Sequence, residues 1–310
     1  MWGTIIADAY TDETRHEVAE ALDTICSPGD SYGFASGGIY CFWSLKKPRR
    51  PLYIGRAVDL PERFREHNGL RGSSGRGNKR DRIREFFEGG EQLLGYSVLV
   101  RSVVSQTEVA RSRAKLRKKL ADVSEFIEPR SNIDAGVDEE LAAAEGTAIR
   151  SFWLEHGELP AWNEVQGEST RWNRSMKVHD STGDLFCCSV DSLLQARKTL
   201  SGLARDPTSV SFEMELQVAR MWAIAFSQFD NRQLCDHDVL EMLDRLSEFA
   251  GGLDVPRMRE QGYLLEGPWV GNVMPDRLSQ RQRRAWTDGE AMPPSPPAPP
   301  LRLPGEMPWS

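Results

Sequence analysis

The sequence predicts an α+β protein, with a small antiparallel sheet flanked by helices and then a mainly helical C-terminal segment. Three observations carry this prediction. First, two β-prone runs, Gly38-Ile39-Tyr40-Cys41-Phe42-Trp43 and Leu52-Tyr53-Ile54, flank the basic turn Lys46-Lys47-Pro48-Arg49-Arg50-Pro51. Aromatic and β-branched residues bounded by Gly and Pro read as a hairpin. Second, a well-signalled helix starts just after the hairpin. Third, from about Ser169 the pattern becomes helical.

Taken in order, Thr4-Ile5-Ile6 reads as a short strand, and Asp12 to Cys26 as a helix with Val18, Leu22 and Ile25 on one stripe. After the hairpin, Asp59 reads as an N-cap, Pro61 suits the first turn and Glu62 completes a capping box. On that helix Arg63 and His67 are four apart and share a face. The glycine-rich, cationic stretch Asn68 to Arg80 reads as a loop, and it lacks the Gly-Lys-Ser/Thr ending of a Walker loop. Asp81 to Glu88 reads as a short helix and Leu93 to Val104 as a strand. A cation-studded helix starts near Gln106 and carries Arg113 and Arg117. Residues 129–136 read as a linker, and a long helix from Val137 to His156 is closed by Gly157. Its buried stripe is Leu141, Ala144, Ala148 and Phe152, with Glu145 beside it. Further on, Leu193–Leu203, Phe212–Phe229 and Val239–Phe249 read as helices. The middle one is apolar on more than one face, which makes it central to a helical unit or to a dimer contact. The proline-rich end, 292–310, cannot build a core and is expected to be disordered or extended.

Composition narrows the classes. Hydrophobic content of 39% and charged content of 27% are ordinary for a globular chain. No apolar run approaches the roughly 20 residues a bilayer span needs, and the acidic N-terminal stretch lacks a secretory layout. Five cysteines at irregular spacing suggest neither a disulfide scaffold nor a zinc set, so a reducing cytoplasm is the expected compartment. Net charge is −7, yet residues 41–130 hold 21 Lys and Arg against 11 Asp and Glu. A basic block in an acidic chain points to a polyanion partner for that block, against the blander reading of a solvated helix face.

The stretch from Gly37 to His67 resembles the GIY-YIG nuclease family. Gly38-Ile39-Tyr40 matches the first triplet and Tyr53-Ile54-Gly55 the second, with 12 residues between them, slightly more than is usual in the family. Arg63 and His67 match the helix that follows. Glu145 and Asn163, in AAAEGTAIRSFWLEHGELPAWN, match the downstream glutamate and asparagine. The resemblance covers about residues 37–165. It implies a GIY-YIG-type sheet in which the run from Leu93 supplies a third strand. The implied organisation is an N-terminal extension (1–36), a nuclease domain (37–168) with a basic insertion at about 69–130, and a helical accessory domain (169–291) for target choice or dimerisation. The proline-rich tail (292–310) follows.

The family chemistry implied for these residues is metal-dependent hydrolysis of DNA phosphodiesters, of a restriction, defence or repair kind. Tyr40 would act on the attacking water as base or relay, helped by Arg63 and His67 as cationic neighbours. Arg63 would also contact the scissile phosphate, Tyr53 would orient phosphate or water, and Glu145 would hold one Mg²⁺ (or Mn²⁺) ion. Asn163 would brace the site, and Gly38 and Gly55 would allow close backbone packing. Arg56, Arg71, Arg76, Lys79, Arg80, Arg113 and Arg117 are the candidate DNA contacts. The expected partner is double-stranded DNA, with a homodimer for double-strand cutting and no membrane. The alternatives are a non-catalytic DNA-binding protein on the same fold, or an RNA nuclease. Glu139 and Glu140 are the neighbouring carboxylates against which Glu145 is to be judged.

Overall fold

The structure is a computed structural model. It describes residues 2–26, 37–46, 48–71, 79–91, 93–101, 132–164, 182–229, 235–250 and 255–265. The basic helix near Gln106, with Arg113 and Arg117, lies outside the described residues, as do Arg76 and the proline-rich tail.

Strands β1 (Trp2–Tyr10), β2 (Gly38–Ser44), β3 (Arg50–Ala57) and β4 (Leu94–Arg101) form one sheet in the order β1-β4-β2-β3. Every strand pairing is antiparallel. The hairpin expected from the sequence is β2–β3, with Tyr40 opposite Gly55 and Phe42 opposite Tyr53. The run from Leu93 does join β2, and the short N-terminal strand is longer than expected and forms the far edge.

Alternation along the strands gives the sheet two buried faces. One carries Ile6, Tyr10, Tyr40, Phe42, Tyr96, Val98 and Val100. It packs on α1 (Arg15–Cys26) and α2 (Leu60–His67) through Val18, Leu22, Ile25, Leu60 and Phe64. The other carries Ile5, Ala7, Ile39, Cys41, Trp43 and Ile54. It packs on α4 (Asn132–His156) through Leu141, Ala144, Ala148, Ile149 and Phe152. The predicted stripe of the long helix is the one buried. Between α2 and β4 lies α3 (Arg80–Glu88).

Local signals explain the helix starts. Asp59, in extended backbone, accepts the Glu62 N–H at 2.9 Å, as an N-cap should. α1 begins three residues later than expected because Thr11 and Thr14 exchange backbone-to-hydroxyl bonds at 2.9 and 3.1 Å, which makes a turn of residues 11–14. α4 begins at Asn132, inside the predicted linker. Gly136 costs only about 1 kcal/mol in a helix interior, and a helix of 25 residues absorbs that.

The C-terminal part consists of α5 (Thr182–Phe186), α6 (Leu200–Arg205), α7 (Pro207–Phe229), α8 (Asp236–Ala250) and α9 (Val255–Glu260). The helix expected at Leu193–Leu203 starts only at Leu200. Before it, a turn at 193–194 leads into a single parallel bridge of Gln195 with Ile5 of β1: Ile5 N–H donates to Leu194 O at 3.0 Å and Ala196 N–H donates to Ile5 O at 2.7 Å. Backbone pairing with an open strand edge overrides the local helical pattern here. Ala196, Leu200 and Leu203 then join the α1 face of the sheet, and Leu185, Phe186 and Cys187 join the α4 face.

α7 is central, as its sequence implied. Phe212, Leu216, Ala219 and Ala223 pack on α8 and α9. Its other side buries Arg220 and Glu213 completely, paired at 2.7 Å. Arg220 also donates to Thr4 Oγ1 at 3.0 Å, Gln195 O at 3.0 Å and Leu193 O. Glu213 Oε1 accepts from Arg197 N–H at 2.7 Å and the Tyr263 hydroxyl at 3.0 Å. This network ties α7 to β1. No helix among the described residues is long and apolar enough to cross a membrane.

Candidate active site

The two triplets face each other across the hairpin, and glycine makes that possible. A Cβ on Gly55 would lie 2.6 Å from Tyr40 Oη and 2.8 Å from the Tyr53 ring, closer than atoms pack. The Tyr40 ring therefore lies over the backbone of its own cross-strand partner. Gly38 is equally constrained, because a Cβ there would run into the Leu99 carbonyl.

Helix α2 brings Arg63 and His67 to the Tyr40 hydroxyl. His67 Nε2 lies 2.7 Å from Tyr40 Oη, and Arg63 Nε donates to the same oxygen at 3.3 Å. The tautomer of His67 follows from its other nitrogen. Nδ1 accepts the Lys79 backbone N–H at 2.8 Å, so the ring proton is on Nε2 and points at Tyr40. His67 is fully buried. Burial holds it well below the ordinary histidine range, and the Arg63 and Lys79 cations push it further down. It is therefore a neutral hydrogen-bond donor. The expectation that His67 is a cationic neighbour of Tyr40 is corrected: a desolvated imidazole between two cations does not take up a proton.

Burial also raises the Tyr40 hydroxyl well above the ordinary phenol range. The neighbouring Tyr53 adds to this, and Arg63 opposes it. Tyr40 is a neutral phenol at rest, with two N–H donors aimed at its oxygen. Arg63 is itself held from behind: its Nη1 lies 2.6 Å from Glu66 Oε2, one turn along α2.

Tyr53 stands at the sheet edge. Its ring centroid is 5.9 Å from that of Tyr40 and 5.8 Å from that of His67. Lys79 Nζ lies 4.9 Å from the Tyr53 centroid, a cation on its face. Burial raises the Tyr53 hydroxyl, and the Glu145 carboxylate raises it further. Glu145, on α4, is thus near enough to Tyr53 for its charge to act on the hydroxyl. It is partly exposed and pairs with Arg56 at 3.4 Å. Glu139 lies on the exposed surface of the same helix.

The Asn163 amide clamps the strand that carries Tyr53: Nδ2 donates to Ile54 O and Oδ1 accepts from Ile54 N–H, both at 2.9 Å. Trp162 N–H donates to Leu52 O at 2.7 Å. The outer edge of β3 is thereby closed.

Tyr40, Tyr53, Arg63 and His67 come together, with Glu145 beside them and Asn163 as a brace. Of the candidate DNA contacts, Lys79 is buried at this centre. Arg56 is engaged with Glu145, Arg71 is exposed and paired with Glu62, and Arg80 is exposed. Sequence reasoning missed two contacts of the site: the Glu66 carboxylate on Arg63, and the Lys79 backbone N–H on His67, although Lys79 itself was a candidate DNA contact. Glu66 was detectable as the residue three after Arg63 on one helix. The Lys79 backbone N–H, which sets the histidine tautomer, carries no side-chain signal.

A resident divalent ion can be judged by its donors. Among the described residues no three His, Cys, Asp or Glu side chains converge as a metal cage. Mg²⁺ does not require one, since it takes one or two carboxylates and keeps several waters. Glu145, a partly exposed hard-oxygen donor, fits that requirement. No protein-family model, no curated protein and no solved structure matches the chain significantly.

Proposed function

We propose that the chain is a GIY-YIG-type endonuclease that hydrolyses DNA phosphodiester bonds with one divalent ion. The observation that carries this reading is the Tyr40 oxygen, over Gly55, with two N–H donors aimed at it from α2. A structural tyrosine needs one hydrogen-bond partner. Two donors on one phenol oxygen lower the cost of negative charge there.

Tyr40 then works on the attacking water, as base once its own hydroxyl proton has passed to solvent, or as a relay that takes the water's proton while handing its own to the hydrogen-bonded Tyr53 hydroxyl. His67 stays neutral and keeps its Nε2–H on the Tyr40 oxygen, stabilising charge as it develops. Arg63 makes the longer of the two bonds and is the group that turns to the scissile phosphate, while Glu66 limits its swing. Tyr53 orients the phosphate or water from the strand edge, and Asn163 holds that strand in place. Glu145 would hold the ion, which supplies Lewis-acid stabilisation of the leaving oxygen. The basic block between His67 and Glu145 suits a DNA partner, and a homodimer would allow both strands to be cut.

Purified protein incubated with plasmid and Mg²⁺ is expected to give nicks or double-strand breaks that EDTA abolishes, with matched RNA left uncut. Glu145→Gln is expected to lose about a hundredfold or more in rate while binding DNA normally in Ca²⁺. Glu139→Gln and Glu140→Gln stay close to wild type. Binding without cleavage across varied DNAs and metals points instead to a DNA-binding protein on this fold. Cleavage of RNA alone reassigns the substrate. Normal cutting by Glu145→Gln removes Glu145 from the metal role.

A further inference from the structure

We infer that Lys79 is a contact to the scissile phosphate, held in readiness by an exchangeable counter-ion, Glu164. This inference rests on the nuclease reading above. Lys79 is only 8% exposed, unusual for a lysine. It stands at the N-cap position of α3 without a side-chain cap bond, its backbone N–H holds His67, and its Nζ lies over Tyr53. One residue therefore sets its cation on the Tyr53 ring and its backbone N–H on the His67 ring, beside Tyr40.

Among the described residues the carboxylate facing Nζ is Glu164, at 3.5 Å, and Glu164 is 84% exposed. A buried cation normally has a buried, well-bonded partner, because desolvation must be compensated. In this same chain Arg220 has such a partner in Glu213, with both side chains fully buried. Lys79 instead faces the π surface of Tyr53 and a solvent-exposed carboxylate one residue beyond the Asn163 brace. An exposed glutamate at that distance contributes little and is readily exchanged. A phosphate oxygen brought to Tyr53 would replace it with a stronger, charge-assisted bond. Glu164 thus keeps the cation compensated when no substrate is bound and yields to phosphate when it is.

The side chain can be tested apart from the backbone. Lys79→Met keeps the apolar stem on Tyr53 and the N–H bond to His67, and removes only the charge. Binding of a 20-base-pair duplex in Ca²⁺ at several salt concentrations is expected to show the log–log salt slope reduced by about 0.9, the value for one lost phosphate contact. The slope is retained in Lys79→Arg. Glu164→Gln binds more tightly than wild type. With Mg²⁺ and saturating duplex, Lys79→Met is expected to lose about a hundredfold in rate. A purely structural role would leave the salt slope untouched. An unchanged slope with intact binding overturns the inference. A reduced slope with an unchanged saturated rate overturns the scissile assignment, because the contact then lies on a flanking phosphate. A wild type that binds duplex but cuts nothing overturns the nuclease reading, and the slope still decides whether Lys79 holds a phosphate.

Discussion

At the residue scale, His67 has the most informative environment. Its two nitrogens are both committed, one accepting from Lys79 and the other facing Tyr40. Its folded pKa is depressed, first by burial and then by Arg63 and Lys79. The unfolded chain therefore binds a proton near the ordinary value of about 6.5, while the folded protein does not. Between the depressed value and about 6.5 the unfolded state holds more protons, so stability falls as pH drops through that window. The thermal midpoint of the wild type is expected to fall between pH 7 and pH 5 more steeply than that of His67→Gln. Equal slopes would mean that His67 is protonated in the folded protein. Arg63 and His67 were legible in sequence because four-residue spacing on a capped helix gives them one face. The protonation state was not legible, because it depends on how deeply three different elements bury the ring.

At the scale of elements, one side chain closes the outer edge of β3 at Ile54, next to the Trp162 backbone bond to Leu52. Asn163 supplies both an acceptor and a donor to Ile54. Asn163→Ala leaves that N–H and C=O without their partner, and the loss is expected to be about 1–3 kcal/mol. Asn163→Asp should be at least as damaging, since it keeps the acceptor but sets a carboxylate oxygen against the Ile54 carbonyl. Hydrogen exchange at the Ile54 amide reads the effect directly: faster exchange in Asn163→Ala is expected, and unchanged protection would show that another group closes the edge. The helix of the Tyr-Ile-Gly strand was readable in advance because Asp59, Pro61 and Glu62 are local signals. The bridge at Gln195 was not, because it forms only with a partner, Ile5, far away in sequence.

At the scale of the molecule, the C-terminal helices are joined to the sheet through a buried charge pair. Arg220 links Glu213 to Thr4 and to the carbonyls of Leu193 and Gln195. Arg220→Met would strand a buried carboxylate, at an expected cost of about 3–5 kcal/mol in urea unfolding. Adding Glu213→Gln should recover part of that loss, because the amide oxygen still accepts from Arg197 and Tyr263 without carrying charge. No recovery would mean that the cost comes from the severed link to β1. The α+β class followed from β-prone runs bounded by Gly and Pro and from helix-start signals, and the central place of α7 from its apolar faces. The fastening of α7 to β1 did not, since a buried Arg–Glu pair looks in sequence like any two charges on a helix.

The pairing of β1 with residues 194–196 also sets an order in time. A ribosome releases the chain from its N-terminus, and Tyr40, Arg63, His67, Lys79, Glu145 and Asn163 all emerge before Leu194. For that interval β1 has β4 on one side and water on the other, and an unpaired strand edge invites pairing with other chains. The nascent protein thus holds every group of the proposed site while its sheet is still unsealed. Its passage through that stage is governed by how soon the next thirty or so residues of the C-terminal part follow, at the roughly 5–20 residues per second of translation.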